Sequence, residues 1–200
     1  MNIREAKEKV LYWSKQGYDH GLFAGTSGNL SIFLPEDKLI VITPGSVRYE
    51  TMLIEDIVVT DMDGVKQEGH QKPSSEFKLH RAVYAAGLAK SVVHTHSPFA
   101  TAFAVNRQAI PLCLIEMAPF LGGDVHCTPF QLPGTEALAN AAVSGLQDRN
   151  ACLLSNHGVV AIGESIEVAY IRAEYVEDAA KICKLASIGG EVTTVQGLNK

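Results

Sequence analysis

Two of the chain's seven histidines stand in Val92-Val93-His94-Thr95-His96-Ser97. Side chains of a strand alternate faces, so His94 and His96 point the same way, roughly 6–7 Å apart along the backbone. Two imidazoles on one face can chelate a metal. The β-branched flank predicts a buried strand, where two unpartnered imidazoles would be costly. The same dipeptide also occurs on surfaces and in satisfied cores. The residues that follow, Ser97-Pro98-Phe99-Ala100, supply neither the Glu of a cupin motif nor the Asp-His of an HxHxDH hydrolase. Further ligands must therefore come from elsewhere. His157, in an Asn-His-Gly turn between two apolar runs, lies at a sheet end and either faces water or joins the site. Glu76 falls in the first turn of a helix capped by Ser74 or Ser75, where the helix dipole favours a carboxylate. It is a ligand candidate or an ordinary first-turn Glu. His80, four residues on, shares that helix face, and a structural Glu76–His80 contact is expected.

A second set of residues suits an anion. Gly25-Thr-Ser-Gly-Asn-Leu-Ser31 offers flexible backbone amides, an Asn and hydroxyls, and Thr43-Pro-Gly-Ser46 is a turn rich in N–H groups. Lys72-Pro-Ser-Ser75 places two hydroxyls and two free amides at a helix N-terminus, a favoured place for phosphate. Singly each is an ordinary turn. Together, beside a candidate metal site, they suit a phosphorylated small molecule, and no Walker-type Lys-Ser/Thr ending points to a nucleotide.

The elements that must position these residues follow from periodicity and turn chemistry. Helices are expected over Ile3–Tyr18, from Ser74 or Ser75 to Gly87, from Thr135 to about Leu146, and from a Ser165 cap to Gly189-Gly190. Strands are expected at Asn29–Leu34 and Lys38–Thr43, at Ile57–Asp61 and Val65–Gln67 around an Asp63-Gly64 turn, at Val92–His96, and at Ala151–Leu154 and Val159–Ile162. Strands in adjacent hairpins with interspersed helices predict a largely antiparallel sheet with helices packed on it.

Composition excludes more than it assigns. A 46% hydrophobic and 20% charged chain has ample core and is not disordered. The net charge of −5 and 7% aromatic content leave no surplus for a nucleic-acid backbone or a base-stacking platform. No run reaches the 18 or so apolar residues of a membrane span, and the N-terminus lacks the apolar core of a signal peptide. Four scattered cysteines without a CxxC read as reduced core residues, so one cytoplasmic domain over residues 1–200 is expected.

GTSGNLS, TPGS, KPSSE, HTH and NHG stand in the order and near the spacing of the class II aldolase/adducin-head family, and the chain resembles that family from about residue 3 to 188. The resemblance implies a three-layer αβα fold around a mainly antiparallel sheet, and a homotetramer with active sites at subunit interfaces. It implies a divalent metal on His94, His96, His157 and Glu76, with Zn2+ first and Mn2+, Co2+ or Fe2+ also suited. Phosphate-binding positions match Gly28, Asn29, Gly45, Ser46, Ser74 and Ser75. The order Thr-Pro-Gly-Ser departs from the family's more usual Thr-Pro-(Ser/Thr)-Gly, which moves the hydroxyl to Ser46.

The implied reaction is metal-dependent aldol cleavage of a ketose 1-phosphate to dihydroxyacetone phosphate and an aldehyde, through an enediolate that Glu76 protonates. Fuculose-type members carry Tyr residues near the region after the HxH and in the C-terminal tail. Here no Tyr lies between Tyr84 and Tyr170, and EVTTVQGLNK has none. A 5-deoxy or 5-substituted pentulose 1-phosphate is thus expected beside fuculose 1-phosphate. Glu116 lies twenty residues after His96, where the epimerase and dehydratase branches carry an acidic catalytic residue. This leaves pentulose-5-phosphate 4-epimerisation and methylthioribulose-1-phosphate dehydration as alternatives. A non-catalytic adducin-like binding module is the remaining one.

Overall fold

The computed structural model describes residues 1–197. Its eight strands form one sheet: β1 (Asn29–Leu34), β2 (Leu39–Ile42), β3 (Val58–Asp61), β4 (Lys66–Glu68), β5 (Ser91–Thr95), β6 (Cys127–Thr128), β7 (Ala151–Leu154) and β8 (Gly158–Gly163). The order is β4-β3-β2-β1-β5-β8-β7-β6. Every neighbouring pair is antiparallel except the two-residue edge strand β6, which runs parallel to β7. Six helices accompany it: α1 (Ile3–Asp19), α2 (Phe77–Ala85), α3 (Pro98–Val105), α4 (Met117–Leu121), α5 (Glu136–Gly145) and α6 (Ile166–Gly189).

The central strands bury both faces, which is why they read as unbroken apolar runs rather than alternating ones. Leu30, Val41, Val59, Val93, Val159 and Ala161 face a core shared with α1, α3 and α6. Their neighbours Ile40, Ile42, Val58, Val92, Val160 and Ile162 face a second core under α2 and α5. By the same period of two, Asn29, Ser31 and His94 fall on the α2/α5 side of the sheet.

Three expectations are corrected. Strand β5 ends at Thr95, so His96 stands just past the ladder. Helix α2 begins at Phe77 with Glu76 as its N-cap, and neither Ser74 nor Ser75 caps it; Ser74 Oγ instead accepts the Glu76 N–H at 3.2 Å. Helices α3 and α4 were not anticipated. By contrast Asn2, Thr135 and Ser165 cap α1, α5 and α6 through side-chain oxygens. Of the Tyr-free terminal segment, residues 198–200 lie outside the described residues. Among the described residues no helix is long and apolar enough to cross a membrane.

Candidate metal centre

The antiparallel order brings the start of β1, the end of β5 and the start of β8 to one edge of the sheet. Asn29 on β1 pairs directly with His94 on β5, and His94 pairs with Val160 on β8. The turn before β8 places His157 there, with Asn156 in the left-handed region at φ 56°. Gly158 is required by space, because a Cβ would stand 2.2 Å from the Thr95 carbonyl. Gly28, at φ +82°, passes so close that a Cβ would meet the His94 carbonyl at 2.9 Å. Tyr49 donates its hydroxyl to the Ser27 and Gly28 carbonyls at 3.1 and 2.8 Å, which fixes that loop.

Glu76, His94, His96 and His157 converge so that one ligand atom from each lies within 4.8 Å of all the others. The three imidazole rings have centroids 4.8–4.9 Å apart and stand nearly perpendicular, at 71–76°. Glu76 Oε2 lies 2.9 Å from His94 Nε2, and Oε1 lies 3.4 Å from His157 Nε2. His94 Nδ1 donates to the Val159 carbonyl at 2.7 Å, so the Nε2 of the neutral ring carries a lone pair. That nitrogen is 3.0 Å from His96 Nε2. Two lone pairs at that distance repel unless a proton or a cation lies between them.

The donor set fits a divalent cation. Glu76 Oε1 and His157 Nδ1 are buried without a hydrogen-bond partner. A carboxylate oxygen buried in that way is costly unless a cation faces it. Burial opposes ionisation of Glu76, but the charge and hydrogen bond of His94, with His157 and Asn29, outweigh it and hold the pKa below the usual carboxylate range. His94 moves the other way: burial lowers its pKa, and Glu76 more than restores it. Burial, with the charge of His94, pushes His96 down to about 3 and His157 to about 4, so both rings are neutral and ready to ligate at neutral pH. Three His and a carboxylate suit zinc and its first-row neighbours.

Above this floor opens a cleft of about 980 Å3. Gly28, Asn29, Gly45, Ser46, Ser74 and Ser75 all line it, together with Glu76, His96 and His157. The loops after β2 and before α2 are stitched together, with Gly45 N–H donating to the Lys72 carbonyl at 3.1 Å and Ser74 N–H to the Thr43 carbonyl at 3.1 Å. Those two amides are therefore not free for an anion, against the expectation from composition of the turns. Among the described residues, no hydrogen bond takes the N–H of Gly28, Ser46 or Ser75. Ser46, at φ 62°, rather than Gly45, takes the left-handed position of the turn. His70 and Lys72 also line the cleft. They were missed as candidates, although Lys72 stands inside the KPSSE motif. Glu116 is the N-cap of α4 and is not among the cleft-lining residues of this chain. No hydrogen bond joins Glu76 and His80 directly; Asn29 bridges them, hydrogen-bonded to both.

Comparison with known proteins matches residues 8–183 to the class II aldolase and adducin N-terminal domain. A 5-deoxy-D-ribulose 1-phosphate aldolase of Bacillus thuringiensis is 38% identical over 91% of this chain and 85% of its own length. A 5-methylthioribulose-1-phosphate/5-deoxyribulose-1-phosphate aldolase of Rhodospirillum rubrum is 35% identical, over 80% of this chain and 72% of its own. The solved structure of an L-fuculose 1-phosphate aldolase superposes with a TM-score of 0.92 at 33% identity, covering 98% of this chain and 92% of that one. The chain belongs to the class II aldolase and adducin N-terminal domain family.

Proposed function

We propose that this chain is a divalent-metal-dependent aldolase. It cleaves a ketose 1-phosphate, either a 5-deoxy or 5-substituted pentulose 1-phosphate or fuculose 1-phosphate, to dihydroxyacetone phosphate and an aldehyde. The observation that carries the reading is the convergence of His94, His96, His157 and Glu76 on the floor of a cleft whose wall offers free amides and hydroxyls. The 38% identity to a 5-deoxy-D-ribulose 1-phosphate aldolase supports the pentulose substrate.

His94, His96, His157 and Glu76 would hold the metal, which would supply Lewis-acid polarisation of the substrate carbonyl. The chain's own residues do the rest. The phosphate is received by the N–H groups of Gly28, Ser46 and Ser75, the Ser46, Ser74 and Ser75 hydroxyls and Asn29, with Lys72 giving charge at the rim. Gly45 contributes by shaping the turn. Glu76 moves the proton to and from carbon, and Oε1, the oxygen without a partner, is the atom that carries it. Oε2 stays tethered to Asn29 Nδ2 at 3.2 Å.

On this proposal residues 1–200 make one cytoplasmic domain, three-layered because helices cover both faces of a continuous sheet, assembled as a homotetramer with zinc as the metal. Phe130 and Leu132, apolar and exposed beside the cleft-lining Pro133, support a neighbouring copy there. Glu116 would enter the site only from such a neighbour.

A product assay across ketose 1- and 5-phosphates tests the function. Release of dihydroxyacetone phosphate is expected; a C4 epimer or a dehydrated ketone in its place would replace the aldolase reading. Glu76→Gln should lower cleavage by about 10²–10⁴-fold, while Glu116→Gln should leave an aldolase working. Purified protein should hold about one metal ion per chain, lost in a His94→Ala/His96→Ala double variant; unchanged metal content would refute the ligand set.

A further inference from the structure

A chain of buried polar side chains runs from the metal floor into the core beneath α2. Asn29 Nδ2 donates to Glu76 Oε2 at 3.2 Å, which turns Asn29 Oδ1 toward His80 Nε2 at 2.5 Å. His80 Nδ1 lies 2.6 Å from Ser31 Oγ, and Ser31 Oγ is in turn hydrogen-bonded to the Tyr84 hydroxyl. His80 and Ser31 have no exposed surface, and Tyr84 is 5% exposed. One end fixes the sense of every bond. A carboxylate only accepts, so the Asn29 amide donates to it and its carbonyl must accept from His80 Nε2–H. His80 Nδ1 is then an acceptor, Ser31 donates to it, and Tyr84 donates to Ser31.

We propose that His80 is a positioning residue for the proton-transfer group: held in one tautomer by Ser31 and Tyr84, it locks the Asn29 amide so that Glu76 Oε2 is always tethered and Oε1 is left as the working oxygen. The metal ligands and cleft alone do not require this. An apolar residue at position 80 would fill the core as well, but would leave the Asn29 amide free to rotate and present its carbonyl to the carboxylate. A buried, fully satisfied network of this kind rigidifies what it touches. The inference rests on the assignment of Glu76 as acid/base, and its test includes a measurement that does not need turnover.

His80→Leu should lower kcat by about 10–100-fold, the range of the Asn29–Glu76 hydrogen bond to a charged group that it loosens, with a smaller rise in KM because Asn29 also faces the phosphate. His80→Gln, whose amide can still donate to Asn29, should recover most of that loss. Because His80 acts through Asn29, the His80→Leu/Asn29→Ala double variant should be no slower than Asn29→Ala alone. Losses that multiply would overturn the proposal. In Co2+-loaded protein, His80→Leu should shift the visible absorption of the metal and His80→Gln should restore it. Wild-type-like kcat and spectrum in His80→Leu would likewise overturn it. Should that variant not fold, Ser31→Ala, which frees the imidazole to flip, should give the same pattern of reduced kcat and shifted spectrum, and an unchanged Ser31→Ala protein counts against the proposal. If the wild type releases no dihydroxyacetone phosphate, the aldolase reading fails, while the Co2+ spectra still decide whether His80 orients Glu76.

Discussion

Ser46 adopts a left-handed backbone conformation, φ 62°, in the turn after β2. That region costs a residue with a Cβ about 1–2 kcal/mol and costs glycine almost nothing. The neighbouring Gly45 occupies no such region, so the Thr-Pro-Gly-Ser order places the strain on the serine. Ser46 lines the cleft, and on the proposed phosphate role its hydroxyl is what the strain would keep there. Ser46→Gly should therefore raise the melting temperature by about 2–4 °C, the equivalent of about 1 kcal/mol in a chain of this size. It should also raise KM several-fold with kcat little changed, because the amide remains and the hydroxyl is lost. Calorimetry and steady-state kinetics on one variant check both; a lower melting temperature would show that Ser46 is not strained. At this scale the histidines of the cluster were legible as candidates, since HxH on a β-branched run and Asn-His-Gly between apolar runs are local patterns. The Asn29–His80–Ser31–Tyr84 chain was not. It joins residues 49 to 53 positions apart across a strand–helix contact, and no local spacing encodes that.

At the scale of elements, the strand that carries His94 is followed at once by α3, whose sequence PFATAFAV is apolar on nearly every side. With no polar face it showed no helical period, and it was missed for that reason. Its first turn is capped from another element: the Glu177 carboxylate on α6 accepts Phe99 N–H at 2.9 Å and Ala100 N–H at 2.8 Å. This is an N-cap supplied in space rather than by the preceding residue, since Ser97 makes no side-chain cap. Glu177→Ala should cost about 1–2 kcal/mol by leaving two first-turn donors unmet and removing an anion from the helix N-terminus. Urea unfolding measures it, and a midpoint within error of wild type would mean that water replaces the cap at no cost. Hairpins and the helices capped by Asn2, Thr135 and Ser165 were legible because their signals are local. The insertion of β5 between β1 and β8 was not, because strand order depends on which faces must be buried together. That order is nevertheless what assembles the site, by bringing one edge of three antiparallel strands under the N-terminus of α2.

Across the whole molecule, the candidate site withholds charge from the interior and thereby ties stability to pH. His80 is fully buried, and burial, with the charge of His94, pushes its pKa from 6.5 down to about 3. The folded pKa lies below that of the unfolded chain, so the unfolded state takes up more protons as pH falls from 6.5 toward 3. Stability declines through that window and, for His80, levels off below it. At about 1.4 kcal/mol per pKa unit the effect of His80 is at most about 5 kcal/mol. His96 and His157, at about 3 and 4, act in the same direction. So does Glu167: burial pushes its pKa up, but the hydrogen bonds and charge of Lys9, its own backbone amide and Ser165 together hold it down to about 2, with its contribution lost as pH falls from 4.5 through 2. His94 has the opposite sign: Glu76 holds its pKa up, so its contribution is present at low pH and fades as pH rises through the folded value. Two consequences can be measured by urea unfolding of metal-free protein from pH 3.5 to 7.5. Wild type should lose stability steadily below pH 6.5. His80→Gln, which removes one titrating group while keeping the hydrogen bond to Asn29, should show a visibly shallower decline over the same range. Equal slopes would mean that His80 is not held neutral by the fold. Added Zn2+ should raise the melting temperature most at pH 7.5 and progressively less toward pH 5, because His94, whose pKa Glu76 holds up, takes up a proton that competes with the ion.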